Sequence, residues 1–482
     1  MISASSKLRE IMRSNVRPKC EPKIELYGTD NEGNEIRLEW NGGNIQGLTY
    51  RRGIDIIGRE TPYMELSWTE LYSGRFDESN FPEKYKNITK YMKVKFSFVQ
   101  NLSYGGTWGD LSQFTWEELS QYTWAQLSKF SRTETVEMPI MYLSARPVVE
   151  GNKIKWTAVD LMSFLTENQL KGFCVPQAQR SGVPFVNPPC YMLLNARSAF
   201  LENPPIFEAL SQTVARLQGE NWGTIDKPVL FNDNTKSGLV NYASLRNLYW
   251  DFRGDDEYGT IGLKSKKQPN VDNLGDIVPE FTFTSSIIRE YPAVTAGTDI
   301  SSYNFKNYVF EFNPQNTYKK AGEILTLVNG VAEYVVFRYD NFGTPATAVD
   351  GTVTEVDFAY SATESEIDVI PLNVNGYDNK LINSTTIGES YVENNPLNPY
   401  ASVDEQAQTR FAFLKEYFNK DCTSLEWSGL HNPLIELGDI VSVPTNLYRN
   451  DERVTKTAYI VATEIEYSGA WKQKFYAHEV RV

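Results

Sequence analysis

Between Thr107 and Phe130 the chain repeats one eight-residue phrase three times, as TWGDLSQF, TWEELSQY and TWAQLSKF. A repeat this short constrains local structure tightly, because each position has to do the same job in every copy. Thr107, Thr115 and Thr123 are each followed three residues later by Asp110, Glu118 or Gln126. That is the spacing of a capping box, in which the hydroxyl accepts a first-turn N–H and the acid or amide reaches back to the threonine. Each phrase is therefore expected to open a helical turn. Trp108, Trp116 and Trp124 are expected to share a face with Leu111, Leu119 and Leu127, three residues on. A single turn is too short to stand alone, so the three must lean on a neighbour, and stacked together they would make a short aromatic ladder. Two fates are open to the indoles. They pack on one another and on a nearby sheet, the commoner fate of tryptophan, or they form an exposed surface for a partner.

The flanks have a different period. YMKVKFSFVQ before the repeat and ETVEMPIMYL after it alternate in the manner of strands, so the octads read as a decorated loop between two neighbouring strands. Further strands are expected near residues 45–50, 63–72 and 154–158. Ser67-Trp68-Thr69-Glu70-Leu71 echoes the octad once inside one of them. Residues 4–13 read as a short helix with Ser5 or Ser6 as cap and Leu8, Ile11 and Met12 on one face. KIELYG and EIRLEW form a hairpin about residues 29–33. DNEGNE there is taken as a solvated turn, because its acidic ladder stops too soon for a calcium loop.

Composition narrows function mainly by exclusion. The formal net charge of −14 argues against a general binder of phosphate backbones, which needs a basic surface. With only two histidines, His431 and His478, a His-rich metal site cannot be built, and no nucleophile-elbow pattern accompanies either. Cys20, Cys174, Cys190 and Cys422 lack metal-ligand spacing and are expected as buried free thiols. No catalytic, metal or cofactor residue is expected. No run resembles a transmembrane helix, and the first residues lack the apolar core of a signal peptide, so no stable membrane anchor is expected.

Beyond the first strand region, GNKIKWTAVDLMSFL reads as a strand running into a helix started by Asp160. Residues 170–205 are rich in proline and glycine and read as irregular. A helix opens at Asn203-Pro204-Pro205, with Ile206, Phe207, Leu210, Val214 and Leu217 on its apolar side. A second helix is expected over residues 243–252 and a strand at 260–264. Residues 280–370 are strand-rich, 387–401 read as a linker, and Ser402-Val403-Asp404-Glu405 caps a helix through Phe411, Leu414 and Phe418. The terminus holds LEWSGLHNPLIELGDIVSVP and a strand pair about Ser468-Gly469. There Gly438 suits a tight strand entry and Asp439 a turn bond, and a catalytic Asp439 is not expected. The expected fold is mainly β with α+β parts: several β-barrel or sandwich domains around a small α+β middle domain. Boundaries are expected at 1–165 (with the octads inserted at 107–130), 166–280, 281–386 and 387–482.

The last segment resembles the final domain of phage tail hub proteins, which include the N-terminal part of tail-associated lysins and the hub of contractile-tailed phages. The residues concerned are the helix at 411–418, His431-Asn432-Pro433-Leu434-Ile435-Glu436-Leu437-Gly438-Asp439-Ile440-Val441 and the pair over 459–480. The N-terminal helix with Arg13 and Arg17, the early hairpin and YLSARPVVEGNKIKWTAVDLMSFL are similar too, and TW..L octads occur in tail proteins of phages of Gram-positive hosts. The resemblance implies a homotrimeric, non-enzymatic ring at the virion's tail tip, made in the host cytoplasm. It would join a hexameric tube or distal tail protein to the tip, touch the tape-measure and receptor-binding proteins, and let viral DNA pass through its lumen without specific binding. Tail-associated lysins usually continue into a hydrolase domain, whereas this sequence ends at Val482. The rival reading is a carbohydrate-active or receptor-binding tail protein, whose indoles would stack on sugars. In either case Trp108, Trp116, Trp124, Leu111, Leu119 and Leu127 are the candidate partner-binding residues, and deleting 107–130 is expected to spare the barrel and impair assembly.

Overall fold

The computed structural model describes residues 2, 4–29, 34–54, 62–71, 85, 87–104, 108–112, 114–127, 129–166, 173–174, 188–218, 229–230, 234–244, 248–252, 256–265, 277–292 and 424–480, together with the backbone of strands between 305 and 396. The turn at 30–33, the helix expected through 411–418, Thr107, Cys422 and the side chain of Cys174 lie outside the described residues.

Helix α1 spans Ser6–Arg13, capped by Ser5, whose hydroxyl accepts the Leu8 N–H. Leu8 and Met12, four residues apart, are buried. At its C-terminal end the Arg17 guanidinium donates to the carbonyls of Ile11 (2.9 Å) and Met12 (3.0 Å) and also to that of His431 (3.1 Å). The same side chain thus caps carbonyls at the end of the helix and ties the beginning of the chain to its end.

The N-terminal strands are β1 (Lys19–Thr29), β2 (Glu35–Asn41), β3 (Ile45–Gly53), β4 (Tyr63–Leu71), β5 (Lys93–Ser103), β6 (Ser131–Glu137), β7 (Met141–Leu143), β8 (Val148–Glu150) and β9 (Lys153–Val159). β1 and β2 form the expected hairpin, with Ile24 opposite Trp40. β5 and β6 pair as expected, Ser97 opposite Glu137 and Ser103 opposite Ser131, so the octads bridge adjacent strands. Later strands are β10 (Leu248–Phe252), β11 (Ile261–Ser265), β12 (Phe281–Thr282), β13 (Ile288–Glu290), β14 (Ser424–Gly429), β15 (Ile440–Arg449), β16 (Glu452–Tyr467) and β17 (Trp471–Glu479).

Both ends of the chain belong to one sheet. Its path runs β13-β14-β17-β16-β3-β4-β9-β7-β5-β1-β2, and β12, β15, β6 and β8 attach at its sides. The junction is antiparallel: Leu48 lies opposite Tyr467 and Gly53 opposite Ala462. Arg51 reinforces it, its Nε donating at 2.7 Å to Glu464, 413 residues away. One core lies beneath both segments, holding Leu26, Leu66, Phe96 and Trp156 with Trp427, Val443, Ile460 and Phe475. The chain is mainly β with a small α+β part, as expected. Closed barrels are not found among the described residues, because the path ends on β13 and β2 without their pairing. Long-range strand pairing buries the edges that separate barrels would have had to close individually.

A second core belongs to the helical part, where Leu210 and Val214 pack with Leu193, Tyr242 and Trp250. The helix Pro204–Gln218 buries Ile206, Leu210, Val214 and Leu217, with Phe207 only half-buried. Two expectations fail here. Residues 188–197, expected as irregular, are a helix whose prolines stand in its first turn, where a missing N–H costs nothing. The helix expected over 243–252 instead ends at Ser244, and β10 pairs with β11. Leu248 and Trp250 alternate into the core, and the Trp250 indole donates to the Leu239 carbonyl at 2.8 Å, so a strand satisfies both the apolar and the polar demand. The linker expected at 387–401 contains a strand, Glu389–Pro396, parallel to Phe305–Asn313.

Candidate functional site

The octads fold as three one-turn helices, Trp108–Leu111, Trp116–Leu119 and Trp124–Leu127. The second opens with the full capping box: the Glu118 N–H reaches the Thr115 hydroxyl, and the Thr115 N–H donates to the Glu118 carboxylate at 2.9 Å. That backbone donor, with the hydroxyl, holds the Glu118 carboxyl below its usual range. Gln126 makes the same return bond to the Thr123 N–H at 2.8 Å. Carboxylate and amide are interchangeable in this role because only an acceptor oxygen is needed.

The expected apolar pair is split in two. Leu111, Leu119 and Leu127 are buried, 5%, 4% and 5% exposed, and belong to the main core. Trp116 and Trp124 keep 71% and 65% of their surface in solvent, and the side chain of Trp108 lies outside the described residues. Residues three apart on a helix stand about 60° apart around its axis, so a single turn laid on a sheet can bury one and leave the other out. The leucine wins because its side chain reaches down over the sheet, while the tryptophan stands at the first helical position. In β4 the related stretch does the reverse: Trp68 is buried and Leu71 half-exposed, since strand alternation puts Trp68, Leu66 and Met64 on the inner face.

An aromatic ladder forms from the last octad position. Tyr104 meets Phe114 edge-on at 5.0 Å, Phe114 meets Phe130 at 5.2 Å, and Phe130 meets Tyr122 at 5.2 Å. Arg132 of β6 lies over Phe114 at 5.6 Å and pairs with Glu118 at 3.6 Å. Tyr104 and Arg132, outside the repeat, are the contributors that sequence reasoning missed. Their signal was the β5–β6 register, which sets both beside the loop. The octads are thus bolted down by leucines, aromatics and caps, with two indoles held outward.

Elsewhere the polar groups serve the fold. Gly438 takes φ +88°, and Asp439 accepts the Glu436 N–H at 2.7 Å, the turn roles expected of them. Burial pushes the Asp439 carboxyl up to about 7, against hydrogen bonds that favour its charged form. The other buried carboxylates are engaged too. Glu70 accepts from the Trp40 indole (2.8 Å) and Tyr85 hydroxyl (2.7 Å), Asp160 from the backbone of Met64 and Ser163, and Asp256 pairs with Arg216 at 3.1 Å. Lys264 pairs with Asp251, and Lys456 with Glu479 at 2.6 Å. His431 stacks on Trp471 at 4.6 Å. Burial, then the positive charge of Arg17, lowers its pKa to about 3, so the ring is neutral. Cys20 and Cys190 are free thiols, the second fully buried and the first half-buried, its thiol pushed up by burial. Among the described residues no group of three or more His, Cys, Asp or Glu side chains stands ready for a metal ion, and no helix is long and apolar enough to cross a membrane.

No protein-family model matches the chain, and neither does any curated protein. Among solved structures, the chain is similar to the 43 kDa tail protein of prophage MuSo2 from Shewanella oneidensis, at 9% identity and TM-score 0.41 over 95% of this chain and 98% of that one. A tail protein from Neisseria meningitidis aligns at 9% identity and TM-score 0.40 over 95% and 96%. Prophage tail protein gp18 from Listeria monocytogenes aligns at 8% identity and TM-score 0.37 over 95% and 94%. The first and third are prophage tail proteins and the second is a tail protein. At this identity and these TM-scores, the functional reading rests on the chain's own residues and geometry.

Proposed function

We propose that this chain is a structural, non-enzymatic subunit of a phage tail, the trimeric hub ring at its tip. The observation that carries the reading is the shared sheet: the two segments that resemble tail hub proteins, at opposite ends of the sequence, pair strand to strand over one core. A subunit whose ends interlock holds its shape against mechanical load. The engaged state of each buried carboxylate among the described residues also favours scaffold over catalyst.

On this reading three copies join the hexameric tube or distal tail protein to the tip, near the tape-measure and receptor-binding proteins. The net charge of −14 suits a lumen past which DNA slides without sticking. Trp116 and Trp124, with Trp108 in the same octad position, form a partner-binding face anchored by Leu111, Leu119 and Leu127. Negative-stain microscopy of the purified chain tests the ring: trimeric annuli are expected, and a monodisperse monomer across concentrations would contradict it.

A further inference from the structure

We propose that the turn between β2 and β3 is a self-modification site, at which Asn41 converts spontaneously to aspartate and isoaspartate by attack of the Gly42 backbone nitrogen. The proposal stands apart from the tail reading and rests on the geometry of the turn itself.

Two hydrogen bonds define that geometry. The Asn44 N–H donates to the Asn41 carbonyl at 2.9 Å and closes a β-turn. The Gly43 N–H donates to Asn41 Oδ1 at 3.0 Å, which folds the side chain back over the peptide that follows it. Asn41 Cγ and the Gly42 nitrogen both belong to the ring that this second bond closes, so the side chain is not free to swing away from the nitrogen it would meet. The same N–H is aimed at the oxygen on which charge develops when Cγ is attacked.

Glycine at position 42 is demanded by packing as well as by chemistry. A Cβ there would stand 3.3 Å from the Tyr467 hydroxyl and 3.4 Å from Glu21 Cγ, tighter than ordinary contact. A glycine nitrogen has no side chain beside it to obstruct the approach. At Asn44, in the same turn, the nitrogen that would attack belongs instead to the β-branched and buried Ile45. Asn41 is exposed, so water reaches it as base and as reactant.

The step balances with water alone. Solvent base takes the Gly42 N–H proton, the nitrogen lone pair forms a bond to Asn41 Cγ, and the Cγ–Nδ2 bond breaks as protonation of Nδ2 releases ammonia. Water then opens the cyclic imide. Cleavage between the nitrogen and Cγ gives aspartate, and cleavage between the nitrogen and the main-chain carbonyl carbon gives isoaspartate. Aspartate places a carboxylate opposite Lys23, the register partner of residue 41 on β1, whereas isoaspartate lengthens the main chain at the end of β2.

The test ages the full chain at mildly alkaline pH in heavy-oxygen water and maps it by tryptic mass spectrometry. Peptide 38–51 carries both Asn41 and Asn44, and the other Asn-Gly pairs, at 329–330 and 375–376, fall in separate peptides. Position 41 is expected to take up one heavy oxygen and to split into two chromatographic isomers, at least roughly tenfold faster than Asn44 converts. The folded chain is expected to convert no more than roughly tenfold slower than free peptide 38–51 aged beside it, because the turn already holds the carboxamide over the nitrogen. Asn41→Gln, which would need a larger ring, is expected to lose the label at that position. No label at position 41, conversion there short of that lead over Asn44, a folded chain slower than that limit, or label retained in Asn41→Gln would each overturn the proposal.

Discussion

Leu119 is 4% exposed and Trp116, three residues before it in the same helical turn, is 71% exposed. Stability and recognition are therefore assigned to different residues of one octad. Leu119→Ala is expected to cost about 2–5 kcal/mol, the range for truncating a buried leucine. Trp116→Ser is expected to stay within about 0.5 kcal/mol of the parent. Urea midpoints check both, and equal losses would contradict the division.

The caps should matter to the loop more than to the sheet. Thr123→Ala removes the hydroxyl that the Gln126 N–H approaches and is expected to cost about 1 kcal/mol. Hydrogen exchange should show faster opening confined to residues 123–130, with β5 and β6 as protected as before. A uniform increase across the sheet would mean that the octads are part of its folding unit.

Acid should weaken the junction through His431. Its folded pKa, about 3, lies below its ordinary 6.5, so between these values the unfolded chain binds a proton that the folded chain refuses. The stability contributed is present above pH 6.5 and is lost as pH falls toward 3, with a limiting slope of about 1.4 kcal/mol per pH unit. His431→Phe keeps an aromatic ring on Trp471 and Phe98 and removes the titration. Its stability should fall less than the parent's from pH 6.5 to 4. Asp439, whose raised carboxyl pKa has the opposite sign of effect, cancels in that difference. Parallel profiles would contradict the assignment.

The pairing of β3 with β16 predicts that neither end of the chain folds well alone. Residues 1–165 expressed without the terminal strands are expected to lack a cooperative transition, and addition of residues 424–482 should restore one. A cooperative, equally stable 1–165 fragment would show that the junction is incidental.

Much of this was legible locally. Ser5 with Leu8 and Met12 marks α1, the alternation on either side of the octads marks β5 and β6, and Gly438-Asp439 marks a turn by residue chemistry alone. The junction was not, because Arg51 and Glu464 stand 413 residues apart and no local pattern encodes such a pairing. Trp116 and Leu119 could not be told apart by spacing either, since one turn leaves the choice of inward face to the sheet below. The aromatic run at 248–252 suits a helix or a strand equally by composition. In the structure it is a strand, with Leu248 and Trp250 alternating into the core and the Trp250 indole donating to the Leu239 carbonyl.

The most direct test of the central claim is immunogold electron microscopy of intact virions with an antibody to this chain. Label confined to the tail tip, at three copies per particle by quantitative mass spectrometry, is the predicted result. Particles without label and without its peptides would contradict it.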